Sequence, residues 1–389
     1  MNSIGKYRII FEDMSKKGRQ LDLIPRDLSS QRRSLQFNRG RFLEWLDKIE
    51  QEKELRGFRS HLFSFYQALQ DSKIDPELYY FKDGELVEYQ SETLFSQIEQ
   101  MLEARTLERA KYYLKRLKRS LTESRPSPWS DLDLNRWQDY PEIITDSLWL
   151  FDRRDTSGAH LAWYWGNFIP QIPRQLIWRF TKKGEWVLDP FVGSGTTLIE
   201  CRRLRRNGVG IEINSEVVEK AKELVAREPN PGKVRTEIFV GDAKEFDYQR
   251  LLSRFKIKSF QLAILHPPYH DIIKFSNLKD DLSNASSIEQ FLNGFGKVVE
   301  NLTPYLDTGR FLAVVIGDKY QKGEWIPLGF YCLEEVRKRG YKLKSIVVKN
   351  FEDTRAKRNQ KELWRYRALV GGFYVFKHEY ILIFQKIKR

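Results

Sequence analysis

Asp189-Pro190-Phe191-Val192-Gly193-Ser194-Gly195-Thr196-Thr197 decides the fold of this chain. The apolar run Trp186-Val187-Leu188 precedes it and Leu198-Ile199-Glu200-Cys201 follows. That order reads as a strand, a tight glycine loop and a helix. Gly193 and Gly195 let the backbone turn sharply and approach a ligand closely. Thr196 and Thr197 open a helix whose first amides lack partners and receive a carboxylate. Two other nucleotide loops are excluded by spacing. The P-loop needs a Lys before Ser/Thr, and none follows Gly195; the dinucleotide fingerprint needs a third glycine or alanine where this chain has Leu198.

Outward from this loop the text alternates strand and helix. Apolar runs fall at 186–188, 209–213, 236–240, 261–265, 310–316, 344–348 and 379–384. Helical spacing separates the earlier ones, at 197–206, 215–227 and 288–302. Short buried-type strands alternating with helices predict an α/β fold with a mostly parallel, seven-stranded sheet covered on both faces. Ligands bind beyond the carboxyl ends of such strands.

Residues 1–150 read differently. Phe42, Leu46 and Ile49, then Leu94, Ile98 and Met101, then Leu114, Leu117 and Leu121 recur at helical spacing. The segment Glu123-Ser124-Arg125-Pro126-Ser127-Pro128 reads as a linker. The expected organisation is a mainly helical domain at 1–150 and an α/β domain at 151–389.

The chain has 389 residues, a formal charge of +14 and a pI near 9.5, the footprint of a polyanion partner. From 336 to 368, twelve Lys/Arg face three Asp/Glu, with Tyr341, Phe351, Trp364 and Tyr366 interleaved. That segment, and the basic loop 354–361 within it, predicts phosphate contacts. The run Arg202, Arg203, Arg205 and Arg206 reads instead as a solvated helix face. Cys201 and Cys332 form no CxxC pair, and no HExxH spacing occurs among the five histidines. Neither a zinc site nor a disulfide framework is indicated, and the expectation is no metal. Met1 to Arg8 lack the apolar core of a signal peptide, and no apolar run approaches the roughly 18 residues of a membrane span. The expected setting is the cytoplasm, with no membrane partner.

A second motif, His266-Pro267-Pro268-Tyr269, follows Leu262-Ala263-Ile264-Leu265. The glycine loop and this motif together resemble the S-adenosylmethionine (SAM)-dependent DNA amino-methyltransferases, which act on the exocyclic nitrogen of cytosine (N4) or adenine (N6). The resemblance covers about 160–389; it implies that 151–389 is a catalytic domain and leaves 1–150 as an accessory or target-recognition domain. It implies a Rossmann-like class I methyltransferase fold, SAM as cofactor, and duplex DNA with a flipped base as substrate. A restriction or defence-system protein is a partner such enzymes take.

The resemblance assigns the donor site to Asp189, Pro190, Phe191, Gly193, Ser194, Gly195 and Thr196. Asp189 at the strand end is placed to meet the ammonium of the methionine moiety. Glu212 stands about 20 positions past the loop, where an acidic side chain bonds ribose hydroxyls. Asp242 takes the adenine amino group, and Phe168 closes over the methionine end. The base site falls to four residues. His266 is the side-chain acceptor for the target amine, Pro267 supplies a carbonyl, Pro268 stiffens the turn and Tyr269 stacks on the base through its ring face. The family has Asp, Asn or Ser where this chain has His266. That departure leaves the choice of base open and raises an inactive, SAM-binding DNA-binding subunit as an alternative. RNA methyltransferases of the N2-guanine type, which share the motif order, are the other. Methylation at cytosine carbon 5 is excluded, because neither cysteine follows a proline.

Overall fold

The computed structural model describes residues 34–70, 85–350 and 361–388. Two compact units divide between Glu123 and Ser124.

The N-terminal unit contains β1 (Ser34–Asn38), α1 (Arg39–Glu50), α2 (Leu55–Gln70), β2 (Leu86–Gln90), α3 (Ser91–Leu102) and α4 (Leu107–Thr122). Helix α4 is typical of its logic. Ala110, Leu114, Leu117 and Leu121 bury one stripe, and Thr106 caps the start by accepting from Arg109 N at 3.2 Å. The apolar stripes enclose a core around Phe37, Phe42, Phe58 and Leu94, where Phe37 stacks on Phe42 at 4.8 Å. The antiparallel pair β1–β2 was not foreseen in a unit read as helical.

The second unit runs through β3 (Leu148–Trp149), α5 (Gln171–Phe180), β4 (Trp186–Asp189), α6 (Thr196–Leu204), β5 (Asn207–Glu212), α7 (Ser215–Arg227), β6 (Thr236–Val240), α8 (Tyr248–Phe255) and β7 (Phe260–Leu265). It continues with α9 (Ile288–Leu302), β8 (Leu306–Ile316), the small hairpin β9 (Lys319–Gln321) and β10 (Glu324–Ile326), α10 (Leu328–Lys338), β11 (Tyr341–Asn350), α11 (Lys361–Gly371) and β12 (His378–Lys386). The main sheet has the order β3-β11-β12-β8-β7-β4-β5-β6. β12 is antiparallel to both neighbours, β8 and β11, and the other strands are parallel to one another. Seven of these strands are the predicted ones, in the Rossmann-like class I methyltransferase arrangement. The eighth, β3, extends the edge by pairing with Val348 and Lys349.

β3 corrects the expected boundary at 150. Residues 124–150 belong to the second unit, where β3 joins its sheet and Trp129 meets Phe311 edge-on at 5.3 Å. The Arg202–Arg206 run is also corrected. Arg206 is buried and bonded to Asp131 and Thr181, while Arg203 pairs with Glu228 at 2.8 Å. These cations fasten α6 to its surroundings.

β4 is buried along its whole length between β5 and β7. From β4 the chain adds β5 and β6 on one side and then crosses to add β7 and β8 on the other, so a crevice opens at the carboxyl ends of β4 and β7. The glycine loop follows one strand and His266 follows the other.

Candidate active site

A cavity of about 1590 Å³ opens at that crevice. Its wall includes Pro190, Phe191, Gly193 and Ser194 from the glycine loop, Glu212 from β5, Asp242 after β6, and His266, Pro267, Pro268 and Tyr269 after β7. Phe168 lines it as well. The two predicted motifs therefore share one cavity, although 68 residues lie between Thr197 and His266.

Three predicted donor residues stand behind the wall. Asp189 is fully buried and does not line the cavity. Its carboxylate accepts from Thr197 Oγ1 at 2.5 Å and from Phe191 N at 3.0 Å, pinning the loop to the helix it opens. Desolvation pushes its pKa up to about 7, against those two bonds. In this conformation the carboxyl group faces the loop and the helix rather than the cavity. Gly195 adopts φ 83°, and a Cβ there would meet Val225 Cγ2 at 2.7 Å, so it serves the packing of α6 on α7. Thr196 donates its hydroxyl to Asn167 Oδ1 at 2.8 Å and ties the loop to the segment before α5.

Glu212, at the end of β5, lines the cavity with its carboxylate. Gly193 N–H donates to its Oε2 at 3.2 Å and Asn214 N–H to its Oε1 at 3.1 Å. Burial raises its pKa, opposed by those amides. Asp242 accepts from Lys244 N at 2.9 Å, with Lys244 Nζ 3.3 Å from its other oxygen.

Two segments meet over the glycine loop. Tyr164 stacks on Phe275 at 5.5 Å, and a Cβ on Gly193 would lie 3.0 Å from the Tyr164 ring. Phe275 belongs to the polar stretch 274–287 after β7. Sequence reasoning missed Tyr164, Asn167 and Arg154, which also line the cavity. Arg154 Nη1 donates to the carbonyl oxygen of Phe168 at 2.8 Å and holds that segment in place.

At the base site, Phe168 packs edge-on against the His266 ring at 4.8 Å. Burial pushes the His266 pKa down to about 4; Glu379 opposes that shift and Lys349 adds to it. His266 is therefore a neutral imidazole at neutral pH. The Tyr269 hydroxyl is not idle, as a purely stacking role would have it. It donates to Glu379 Oε2 at 2.8 Å, and His266 Nε2 lies 3.3 Å from it. Glu379 and Lys349 also line the cavity. A charge beside each of the apolar runs 346–348 and 380–384 was the signal available in the sequence.

The basic, aromatic segment divides. Tyr341 is buried in the core, bonded to Thr303, and takes no part in the surface. Phe351 and most of the 354–361 loop lie outside the described residues. Trp364 and Arg365 reach the cavity rim beside Tyr374, which is 87% exposed. Among the described residues, no helix is long and apolar enough to cross a membrane.

The crevice at the β4/β7 switch point, with a glycine loop and a Pro-Pro-Tyr turn on its walls, sits in a sheet of the Rossmann-like class I methyltransferase fold. Parts of the chain are similar to DNA amino-methyltransferases of the N4/N6 type. The N6/N4 family model, described as DNA methylase, matches residues 78–223. That match begins within the N-terminal unit, well before the expected start near 160, and ends before His266. The Type II methyltransferase M.HpaI of Haemophilus parainfluenzae is 48% identical over 56 residues, covering 14% of this chain and 18% of that protein. M.MjaII of Methanocaldococcus jannaschii is 26% identical over 149 residues, 35% of this chain and 27% of that one. M.Cfr9I of Citrobacter freundii is 40% identical over 75 residues, 19% and 24%. The chain thus spans only about a quarter or less of the length of these relatives. Among solved structures, TrmN from Thermus thermophilus is 15% identical with a TM-score of 0.35, over 57% of this chain and 49% of that one.

The fold and the match to the DNA methylase model imply SAM as cofactor, and the residues present fit it. Gly193 leaves space that a Cβ would close against Tyr164, and Glu212 offers a carboxylate at the strand end.

Proposed function

We propose that this chain transfers a methyl group from SAM to the exocyclic amine of cytosine (N4) or adenine (N6) in duplex DNA. The observation that carries this reading is the single cavity lined by both Gly193–Ser194 and His266–Tyr269. One wall suits a methyl donor and the other a planar base bearing an amine.

Bound SAM supplies an electrophilic methyl group on a positively charged sulfur. The protein's task is to make a weak nucleophile attack it. The amine lone pair is conjugated with the ring, so two fixed acceptors near the nitrogen draw it out of conjugation. The neutral His266 imidazole offers one acceptor and the Pro267 carbonyl the other. Positive charge develops on the amine as it is methylated, and an imidazole that is neutral at the outset is able to take up a proton. The Tyr269 ring offers a face to the extruded base, and Phe168 stands against His266 on the donor side. Glu212 receives ribose hydroxyls, and Asp242 the adenine amine of the cofactor.

Duplex DNA brings phosphates to the rim. Arg153, Arg365 and Lys377 line the opening together with the exposed rings of Trp165 and Tyr374. Such cations supply salt-dependent affinity, and exposed rings suit unstacked bases. Target reading is assigned to the N-terminal unit, whose α4 carries Arg109, Lys111, Lys115 and Arg119.

The test is methylation with purified protein and SAM on duplex DNA, single-stranded DNA and tRNA, followed by nucleoside analysis. N4-methylcytosine or N6-methyladenine from duplex DNA is the expected product. Transfer to tRNA alone would replace this reading with the RNA one.

A further inference from the structure

Side chains from three strands or their loops meet behind the base site. The Tyr269 hydroxyl, in the loop after β7, donates to Glu379 Oε2 on β12 at 2.8 Å. Glu379 Oε1 lies 3.1 Å from Lys349 Nζ on β11, and both charged residues are buried. His266 Nε2 lies 3.3 Å from the same phenol oxygen.

A phenol has one proton to donate. The carboxylate at the shorter distance takes it, because a charged acceptor makes the stronger bond. The phenol oxygen then faces His266 as an acceptor, and Nε2 must carry a hydrogen to use it. In a neutral imidazole the other nitrogen is left bare. Nδ1 has no hydrogen-bond partner among the described residues, and it is not sealed from solvent.

We propose that Glu379, acting through the Tyr269 hydroxyl, holds His266 as the Nε2–H tautomer, so that Nδ1 is the acceptor offered to the substrate amine. This rests on the base-site reading above. Glu379 and the Tyr269 hydroxyl are positioning groups; only His266 meets the amine. The inference gives this buried ion pair a task at the site and explains how a histidine serves where the family has Asp, Asn or Ser. With the other tautomer, Nδ1–H would point a hydrogen at the hydrogens of the amine. The groups facing His266 are Tyr269 on its own loop, Glu379 from β12, Lys349 from β11 and the uncharged Phe168 from before α5.

The tautomer is read directly by two-bond 1H–15N correlation on the full chain with 15N-labelled histidine, near pH 7.5 and without substrate. Its failure is therefore distinct from a failure of the methylation reading. His266 is identified by the signal missing from His266→Asn. The wild type is expected to show Nε2–H alone, and Tyr269→Phe a mixture or the other tautomer. An Nδ1–H wild type, or a pattern unchanged in Tyr269→Phe, would overturn the proposal. A kinetic cycle supplies the second arm. Tyr269→Phe is expected to slow single-turnover transfer about five- to tenfold, the equivalent of one lost hydrogen bond. In a His266→Asn background, where an amide oxygen accepts with no tautomer to set, the same change is expected to cost under about twofold. Equal losses in both backgrounds would make the hydroxyl merely structural and sink the inference.

Discussion

Gly193 N–H and Glu212 Oε2 are joined across 3.2 Å, so the carboxylate at the end of β5 is fixed to the loop at the end of β4. The bond sets two neighbouring parts of the donor site with one side chain. Glu212→Ala is expected to weaken SAM binding by roughly 1.5–3 kcal/mol, about 10- to 150-fold, the loss of hydrogen bonds to a charged group. Burial raises the Glu212 pKa, and ribose hydroxyls favour its ionised form. Binding therefore releases a proton, and affinity should rise with pH until Glu212 is ionised in the free protein. Calorimetry across pH checks both; unchanged affinity in the variant would remove Glu212 from the site.

Asp189 separates a positioning role from a contact. Asn keeps the shape and one acceptor oxygen, so Asp189→Asn should hold SAM affinity within about threefold, whereas Asp189→Ala frees the loop and loses roughly 1–3 kcal/mol of stability. The folded-state pKa is raised to about 7 from an ordinary carboxylate value. The sign follows: the protonated form is favoured by folding, so this stabilisation is present at acid pH and is lost as pH rises through about 7. Asp189→Asn should remove that loss. A large drop in SAM affinity for the Asn variant at unchanged stability would restore the ammonium contact.

His266 governs the pH profile. With its pKa pushed down to about 4, the acceptor is bare from pH 5.5 to 8.5. Single-turnover transfer should be flat across that range, without the step near 6.5 of an ordinary histidine. An unfolded chain takes up that proton more readily, so the stability His266 contributes falls as pH drops from about 6.5 towards about 4. His266→Ala should lose about 10²- to 10³-fold, as for removal of one preorganised group at a reacting centre, and His266→Asn less. Full activity in the Ala variant would show that the side chain is not the acceptor.

The division at Glu123–Ser124 makes a stability prediction. Trp129→Ala removes an aromatic contact with Phe311 and should lower the stability of the SAM-binding unit by about 1–3 kcal/mol. Denaturant unfolding in saturating SAM and without it follows that unit. An unaffected midpoint would return residues 124–150 to the N-terminal side.

What the sequence revealed was what local patterning encodes. Strand–loop–helix order around Gly193 and the apolar run before His266 have short-range signatures, and the seven strands followed from them. β3 escaped because two residues carry no period; it exists only through pairing with β11. The Arg202–Arg206 run looked solvated because its partners, Asp131 and Glu228, are remote in sequence. Glu379 was missed for the same reason, lying 110 residues from Tyr269. Asp189 was read towards the cofactor from its place at a strand end; its bond to Thr197 eight residues on carried no pattern in the sequence.

The most direct test of the central claim is transfer of a tritiated methyl group from SAM to duplex DNA by the purified full chain. The account predicts label in DNA as N4-methylcytosine or N6-methyladenine, strongly reduced in His266→Ala although that variant still binds SAM. SAM binding with no transfer to any DNA would contradict it and leave a SAM-binding, DNA-binding subunit in its place.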